Sequence, residues 1–180
     1  MTIKGVHHIA YRCTNAQETV DFYSGLLGMP YVMAISEERV PSTHEPDPYM
    51  HIFFETGGTG YLAFFELPNS PAIGKDPNTP EWVQHLALQV ADMDELMAYK
   101  KTVEAAGLEV VGPTDHTVFQ SIYFFDPSGH RIELACNTAT QAQWDQLKAE
   151  AGPMLKEWNE THSVVKRAAW IHEKELAGAD

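Results

Sequence analysis

The sequence contains few basic residues and few cysteines. Its 180 residues include 12 Lys and Arg against 25 Asp and Glu, a formal net charge of −13. A surface of this sign repels nucleic acid and anionic membranes, so we expect neither as a partner. Two cysteines, Cys13 and Cys136, are too few for a disulfide framework, and a reducing compartment is therefore expected.

Long apolar runs are also missing from the sequence. No stretch is long enough to predict a transmembrane helix, and the first residues, MTIKGVHH, do not form a signal peptide. We therefore expect a cytoplasmic protein. Because 44% of its residues are hydrophobic, the chain can bury a real core, and its length suits one domain or two small ones.

A repeated segment organises the first three quarters of the chain. VHHIAYR at residues 6–12 matches VQHLALQ at residues 83–89, so that His8 and His85 occupy the same place. Each segment is followed by a helical pattern, at residues 15–28 and 92–107. Both patterns open on an N-cap residue with Glu three positions later and end at Gly.

Each half then closes on a strand that carries a glutamate, Glu66 in the first half and Glu133 in the second. The sequence therefore predicts an α+β fold of two tandem βαβββ modules, at about residues 4–68 and 81–136. Neither module has enough core to stand alone, so we expect the two sheets to combine into a half-open mixed β-barrel.

Two segments lie outside the modules: a proline-rich stretch between them and a C-terminal tail with a helical pattern. Prolines between residues 68 and 80 indicate a linker inside a single domain that spans residues 1–137. Residues 138–180 are predicted to be a C-terminal helical extension. Gly152 and Pro153 are expected to divide it into one helix at 139–151 and another at 154–176.

One hairpin contains an unusual carboxylate. Asp126-Pro-Ser-Gly129 suits a type I turn followed by a left-handed Gly, which gives a three-residue loop. That loop pairs Tyr123 with Glu133 on one face of the sheet. A carboxylate on a sheet face needs water, a cation or hydrogen-bond donors.

The two histidines of the repeat suggest what this carboxylate faces. Strand alternation places His8 with Val6 and Ala10, and His85 with Val83 and Ala87, so both imidazoles should point inward. A single inward histidine is more often an ordinary core residue. Matched histidines and glutamates related by a pseudo-twofold axis instead predict a divalent-metal site. Its candidate ligands are His8, His85, Glu133 and Glu66.

These features resemble the vicinal-oxygen-chelate superfamily over roughly residues 4–136. Within it, the series Thr114-Asp-His116, Ile122-Tyr123, Asp126-Pro-Ser-Gly129 and Glu133 resembles the pattern of small type I extradiol dioxygenases. The resemblance implies that His8, His85 and Glu133 hold Fe(II) or Mn(II). It further implies that Tyr123 hydrogen-bonds a substrate oxygen and that His116 lines the pocket.

The implied reaction is ring opening of a catechol-like diol by O₂. A homodimer is common in proteins of this kind.

Two departures from the extradiol pattern keep other functions open. Extradiol enzymes place an acid/base histidine on the strand that leads into the end of module one, but residues 54–61 contain none. His51 or His44 could substitute for it.

The second departure is Glu66, which occupies the place where glyoxalases and epimerases carry a fourth ligand. It favours a lyase or isomerase that stabilises an ene-diolate with Zn, Ni or Co. A non-catalytic binding protein of the antibiotic-resistance type is the third alternative.

Overall fold

The computed structural model describes residues 2–58, 60–168 and 170. The first half contains β1 (His8–Cys13), α1 (Ala16–Val20), a π-helical continuation of α1 (Asp21–Leu26), β2 (Tyr31–Glu37), β3 (Tyr49–Glu55) and β4 (Tyr61–Glu66). The second half contains β5 (Leu86–Gln89), α2 (Met93–Ala105), β6 (Val111–Asp115), β7 (Phe119–Phe125) and β8 (Arg131–Asn137), and α3 (Gln141–Thr161) follows it.

Two four-stranded sheets are built to the same plan. Their strand orders are β1-β4-β3-β2 and β5-β8-β7-β6. In each sheet the first and last strands of the module pair in parallel, and the other neighbours are antiparallel. The predicted α+β class and its two βαβββ modules are confirmed. The described strands of one sheet do not pair with those of the other, so a single chain does not close the predicted barrel.

The helix starts follow the predicted capping pattern. Asn15 accepts a hydrogen bond from the backbone N–H of Glu18 at 2.9 Å, and Asp92 accepts one from Glu95 at 3.0 Å. Each cap satisfies a donor that has no partner inside the helix. The two N-caps begin α1 and α2 at equivalent places and so set both helices against their sheets in the same way.

The hydrophobic core lies on the helix-covered faces of the two sheets and is shared by both modules. Tyr23 of the π-helical segment is fully buried there, and its hydroxyl donates to Asp126 of the second module at 2.9 Å. Tyr99 of α2 donates to the carbonyl of Leu27 at 3.1 Å. These contacts join the modules through their helices.

The opposite face of each sheet is called here the site face. Because strand residues alternate, and Leu62 and Phe64 belong to the core, Ala63 of β4 points to the site face. The same argument applied to Ile132 and Leu134 places Glu133 on the site face of the second sheet.

Helix α3 runs without interruption through Gly152 and Pro153. The predicted break is therefore wrong. Proline removes one N–H donor, but its φ is fixed near the helical value. No residue of this helix is buried, so water can satisfy the carbonyl that loses its partner. The helix ends at His162, whose φ is 49°, and residues 169 and 171–176 of the predicted second helix lie outside the described residues.

Within the described residues, no helix is both long and apolar enough to cross a membrane.

Candidate metal centre

The β7–β8 hairpin forms as its turn residues predict. The N–H of Gly129 donates to the carbonyl of Asp126 at 3.0 Å, and Gly129 has a φ of 84°. The three-residue loop that results pairs Tyr123 with Glu133. The predicted register is confirmed, and it places both side chains on the site face of the second sheet.

Glu133 is the buried carboxylate of this half of the site, with 3% of its surface exposed. One carboxylate oxygen, Oε1, accepts a hydrogen bond from the hydroxyl of Ser121, and the other, Oε2, lies 3.0 Å from Nε2 of His85. Since a buried carboxylate is costly without partners, these two contacts account for its position. Ser121 was not among the predicted site residues, because a lone serine in a strand carries no sequence signal.

His85 is oriented by a second contact. Its Nδ1 lies 3.3 Å from the backbone carbonyl of Trp82. If Nδ1 carries the proton toward that carbonyl, Nε2 directs a lone pair at Glu133, and a proton or a cation must lie between the two groups. Metal-binding histidines commonly have their other ring nitrogen fixed in this way. The donor set therefore fits a divalent cation.

Tyr123 and His116 form a second pair beside Glu133. The hydroxyl of Tyr123 lies 2.8 Å from Nε2 of His116, and the guanidinium of Arg131 lies 4.2 Å from the centre of the Tyr123 ring. Burial raises the pKa of Tyr123, and the charge of Glu133 raises it further. The phenol therefore stays neutral at physiological pH and keeps a proton to donate.

The first module presents a half-site made of histidines and aromatic rings. His8 is exposed, with its Nδ1 2.8 Å from Nδ1 of His7 and its ring centre 6.3 Å from that of His51. His51 is only 8% exposed and stacks on Phe65 with a centroid separation of 3.5 Å. Burial, aided by the neighbouring His8, lowers the pKa of His51 to about 4.

His44, the other histidine named as a substitute, lies in the loop between β2 and β3. Its φ is 61°, and its carbonyl accepts a hydrogen bond from Arg39 at 3.1 Å. No described contact brings its ring to either half-site. Of the two candidates, the structure therefore brings only His51 beside His8.

Glu66 does not lie with His8, and the sequence match between Glu66 and Glu133 is wrong. Ala10 pairs with Ala63 in the first sheet, as Ala87 pairs with Glu133 in the second, so Ala63 holds the place equivalent to Glu133. Glu66 lies three residues further along, on the opposite face. There its Oε2 accepts a hydrogen bond of 2.6 Å from the N–H of Ala16, the first residue of α1.

The two half-sites remain separate within one chain. Contacts join His85 to Glu133, Tyr123 to His116, and His8 to the neighbourhood of His51. Among the described residues, no group of three or more His, Cys, Asp or Glu side chains is close enough to hold one metal ion. The predicted ligands therefore form two partial sets on the site faces of two sheets.

Sequence comparison agrees with this architecture. The family model of the Glyoxalase/Bleomycin resistance protein/Dioxygenase superfamily matches residues 5–134. The chain belongs to this superfamily. The resemblance recognised from the paired histidines and the hairpin pattern is confirmed, and the match ends before α3.

Relatives within the superfamily differ in their chemistry. The putative ring-cleaving dioxygenase MhqA of Bacillus subtilis is 26% identical over 140 residues, which cover 76% of this chain but only 42% of MhqA. The present chain thus spans less than half the length of that relative. The metallothiol transferase FosB of Staphylococcus haemolyticus is 28% identical over 134 residues, covering 73% of this chain and 83% of FosB.

Solved structures show the same fold. The fosfomycin resistance protein FosX from Listeria monocytogenes, in complex with Mn(II) and sulfate, has a TM-score of 0.55 at 20% identity and covers 76% of this chain and 95% of its own. A glyoxalase family protein from Enterococcus faecalis has a TM-score of 0.54 at 26% identity, with coverages of 75% and 99%. The superfamily thus contains enzymes of several classes and at least one member that binds a divalent metal.

Proposed function

We propose that this protein is a divalent-metal-dependent dioxygenase that opens the ring of a catechol-like diol with O₂. His8, His85 and Glu133 would hold Fe(II) or Mn(II), with Tyr123 and His116 contacting the substrate. The observation that carries the proposal is the His116–Tyr123 pair on the same face as Glu133. A site that only binds metal has no need of such a pair.

The position of Glu66 supports the same choice. It is the residue that favours a lyase or isomerase, and it instead accepts the N–H of Ala16 at the start of α1, on the core side of the sheet. Ala63 occupies the place of a fourth carboxylate. Two imidazoles and one carboxylate remain, a set that suits Fe(II) or Mn(II) and leaves positions open for a diol and O₂.

The chain's own residues would perform the proton and binding steps. A bound metal would lower the pKa of the diol hydroxyls and bring the diol and O₂ together. The neutral phenol of Tyr123 can donate a hydrogen bond to a negatively charged oxygen of the substrate. His116, 2.8 Å from that phenol, would fix the direction of the donation.

We further propose that a second copy of the chain completes the site. One chain presents His8 on one sheet and the His85–Glu133 pair on another, and the described residues contain no complete metal-binding group. Apolar side chains on β2, including Met33 and Ile35, are about two-fifths exposed and would be covered by such a partner. The smallest assembly with a complete site is a homodimer.

Oxygen consumption tests the proposed reaction. We expect protein loaded anaerobically with Fe(II) or Mn(II) to consume O₂ with substituted catechols and to form a product with a new visible absorbance. Tyr123→Phe should lower kcat/KM by about tenfold or more, because it removes a donor used on the reacting substrate. Its metal content, measured by elemental analysis, should not change.

His85→Ala is the control that should lose both metal and activity. Metal-loaded wild-type protein that consumes no O₂ with any catechol would contradict the proposal. Assays with hemithioacetals, and with fosfomycin plus a thiol, would then test whether this protein catalyses one of the other reactions of the superfamily.

A further inference from the structure

We propose that the substrate diol carries a carboxylate, and that Arg131 binds this carboxylate in a cavity beside the half-site of the second module. The inference rests on the proposed function and deepens it, because it names a class of diol and the residue that selects it. Its basis is a guanidinium that forms no ion pair among the described residues and that lines a cavity.

Arg131 is placed on the site face by strand alternation. It lies two residues before Glu133 on β8, so both side chains point to the same face. Its guanidinium is partly buried and lies 4.2 Å from the centre of the Tyr123 ring. At about 3.3 Å per strand residue, the backbones of Arg131 and Glu133 are ~7 Å apart. A diol held at Glu133 can therefore reach Arg131 with a short substituent on its ring.

The charge of Arg131 has no anionic partner in the described part of the chain. No carboxylate there forms an ion pair with its guanidinium, and the guanidinium donates no hydrogen bond to a described residue. Glu133, on the same strand, is already engaged by Ser121 and His85. A guanidinium is not deprotonated in proteins, and its five N–H donors need acceptors. The ring face of Tyr123 attracts the cation but leaves those donors free for an anion.

A cavity of about 270 Å³ gives an anion access to Arg131. It lies between the linker that joins the modules and the turn of the β7–β8 hairpin, and His85 also lines it. Its apolar wall includes Ile73, Leu86 and Phe125. The volume is slightly below the ~300–1,000 Å³ of sites for drug-sized ligands, so it suits a short substituent. Because His85 is a candidate metal ligand, the cavity adjoins the proposed metal site.

The other charged groups of the cavity wall already have partners. Lys75 forms an ion pair with Glu81 at 2.6 Å, and Asp76 accepts a hydrogen bond from Thr79 at 2.5 Å. Arg131 thus supplies the unpaired charge of the described wall. One guanidinium suits a single carboxylate, whose two oxygens match the fork of N–H donors. A doubly charged phosphate or phosphonate would keep one charge uncompensated beside an apolar wall.

Two matched diols test the assignment: dihydrocaffeate, a catechol with a propanoate side chain, and its primary amide, which has the same shape and no charge. Their Kd values for Fe(II)-loaded protein are measured anaerobically by isothermal titration calorimetry. Wild type should bind the carboxylate about tenfold or more tightly than the amide. Arg131→Met keeps an unbranched side chain beside Tyr123 and removes the charge, so its two Kd values should agree within about twofold.

Two further variants separate the charge at residue 131 from other effects. Arg131→Lys keeps a charge without the fork and should retain a smaller preference, about threefold. Lys75→Met removes a cation that is already paired with Glu81, and it should keep the wild-type preference within about twofold. All three variants should bind as much metal as wild type, since Arg131 contacts the substrate and not the metal.

Four results would overturn the inference. Wild type could bind both diols equally, or folded Arg131→Met could keep the wild-type preference. Loss of the preference in Lys75→Met would assign the carboxylate to Lys75, and loss of metal from Arg131→Met would show that Arg131 supports Glu133 instead. Should Arg131→Met fail to fold, Arg131→Gln takes the same measurements.

The proposed function fails in a different way. Metal-loaded wild type that prefers the carboxylate but consumes no O₂ with either diol would contradict the dioxygenase reaction, while the carboxylate contact of Arg131 would stand. Consumption of O₂ with both diols at equal Kd would support the reaction and overturn the role of Arg131.

Discussion

Two glutamates that look alike in the sequence have opposite surroundings in the fold. Glu133 lies on the site face between Ser121 and His85 and is almost fully buried. Glu66 lies on the core side, where it accepts the N–H of Ala16 at the start of α1. A carboxylate at a helix N-terminus satisfies an unpaired donor and interacts favourably with the helix dipole. Glu66 thus makes a helix-end contact in the structure, and Glu133 is the stronger candidate ligand.

The two residues should therefore respond differently to truncation. Glu66→Ala should lower the free energy of unfolding by about 1 kcal/mol, the usual size of a lost helix cap, and leave metal binding unchanged. Glu133→Ala should abolish metal binding. Urea denaturation and elemental analysis of both variants check this. Loss of metal from Glu66→Ala would restore Glu66 as a ligand and reopen the lyase or isomerase alternative.

The contrast between these residues also shows which site features can be predicted from sequence. The pairing of Tyr123 with Glu133 is predictable because a local turn, Asp126 to Gly129, fixes the loop length. The equivalence of Glu66 and Glu133 was mistaken because it depends on the pairing of β1 with β4, which is remote in sequence. A shared Glu-Leu dipeptide does not determine that register. His51 was named as a candidate, but only the fold places it beside His8.

Strand β6 lies outside the candidate site but packs against Ser121, the residue that contacts Glu133. Gly112 has a φ of 106°, and a Cβ built there would lie 2.5 Å from the carbonyl oxygen of Ser121. The contact is with backbone, so no side-chain adjustment can relieve it. β6 can approach β7 this closely only because residue 112 is glycine. Ser121 in turn holds Glu133, and His116 follows directly after β6.

Gly112→Ala should therefore disturb both stability and the site. We expect a loss of about 3 kcal/mol or more in the free energy of unfolding, from a steric clash added to an unfavourable φ. Gly107→Ala is the matched control, since Gly107 has a φ of 85° but no atom within 4 Å of its added Cβ. It should cost only about 1 kcal/mol. Equal losses in urea denaturation would show that β6 moves freely away from β7.

The helices were predictable in part from their own sequence. Asn15 and Asp92 cap α1 and α2 as expected, because an N-cap depends on neighbouring residues only. The continuation of α3 through Pro153 was not predicted. Proline weakens a helix without always ending it, and whether the helix continues depends on the turns on either side.

The two half-sites lie on two sheets that share one hydrophobic core. Tyr23, Asp126 and the shared core hold the two modules together by their helix-covered faces. The sequence predicted both modules but not this arrangement. The packing of one module on the other depends on contacts such as Tyr23 with Asp126, 103 residues apart, which local patterns do not encode. If two copies complete each other, each site takes His8 from one chain and His85 with Glu133 from its partner.

Mixed dimers test that assembly. His8→Ala and His85→Ala should each be inactive alone. In a mixed dimer, one of the two sites joins the intact first module of one chain to the intact second module of the other. Co-expression of the two variants should therefore restore about a quarter of wild-type sites, measured as metal bound and O₂ consumed. If each chain built its own site, mixing would restore nothing.

The double variant His8→Ala/His85→Ala, mixed in equal amounts with wild type, gives the matched control. Sites shared between chains would leave about a quarter of all sites intact, because every mixed dimer would then contain two broken sites. Sites confined to one chain would leave about half intact. If the first mixture regains metal binding and O₂ consumption, and only about a quarter of sites stay intact in the second, the active site must be built from two chains.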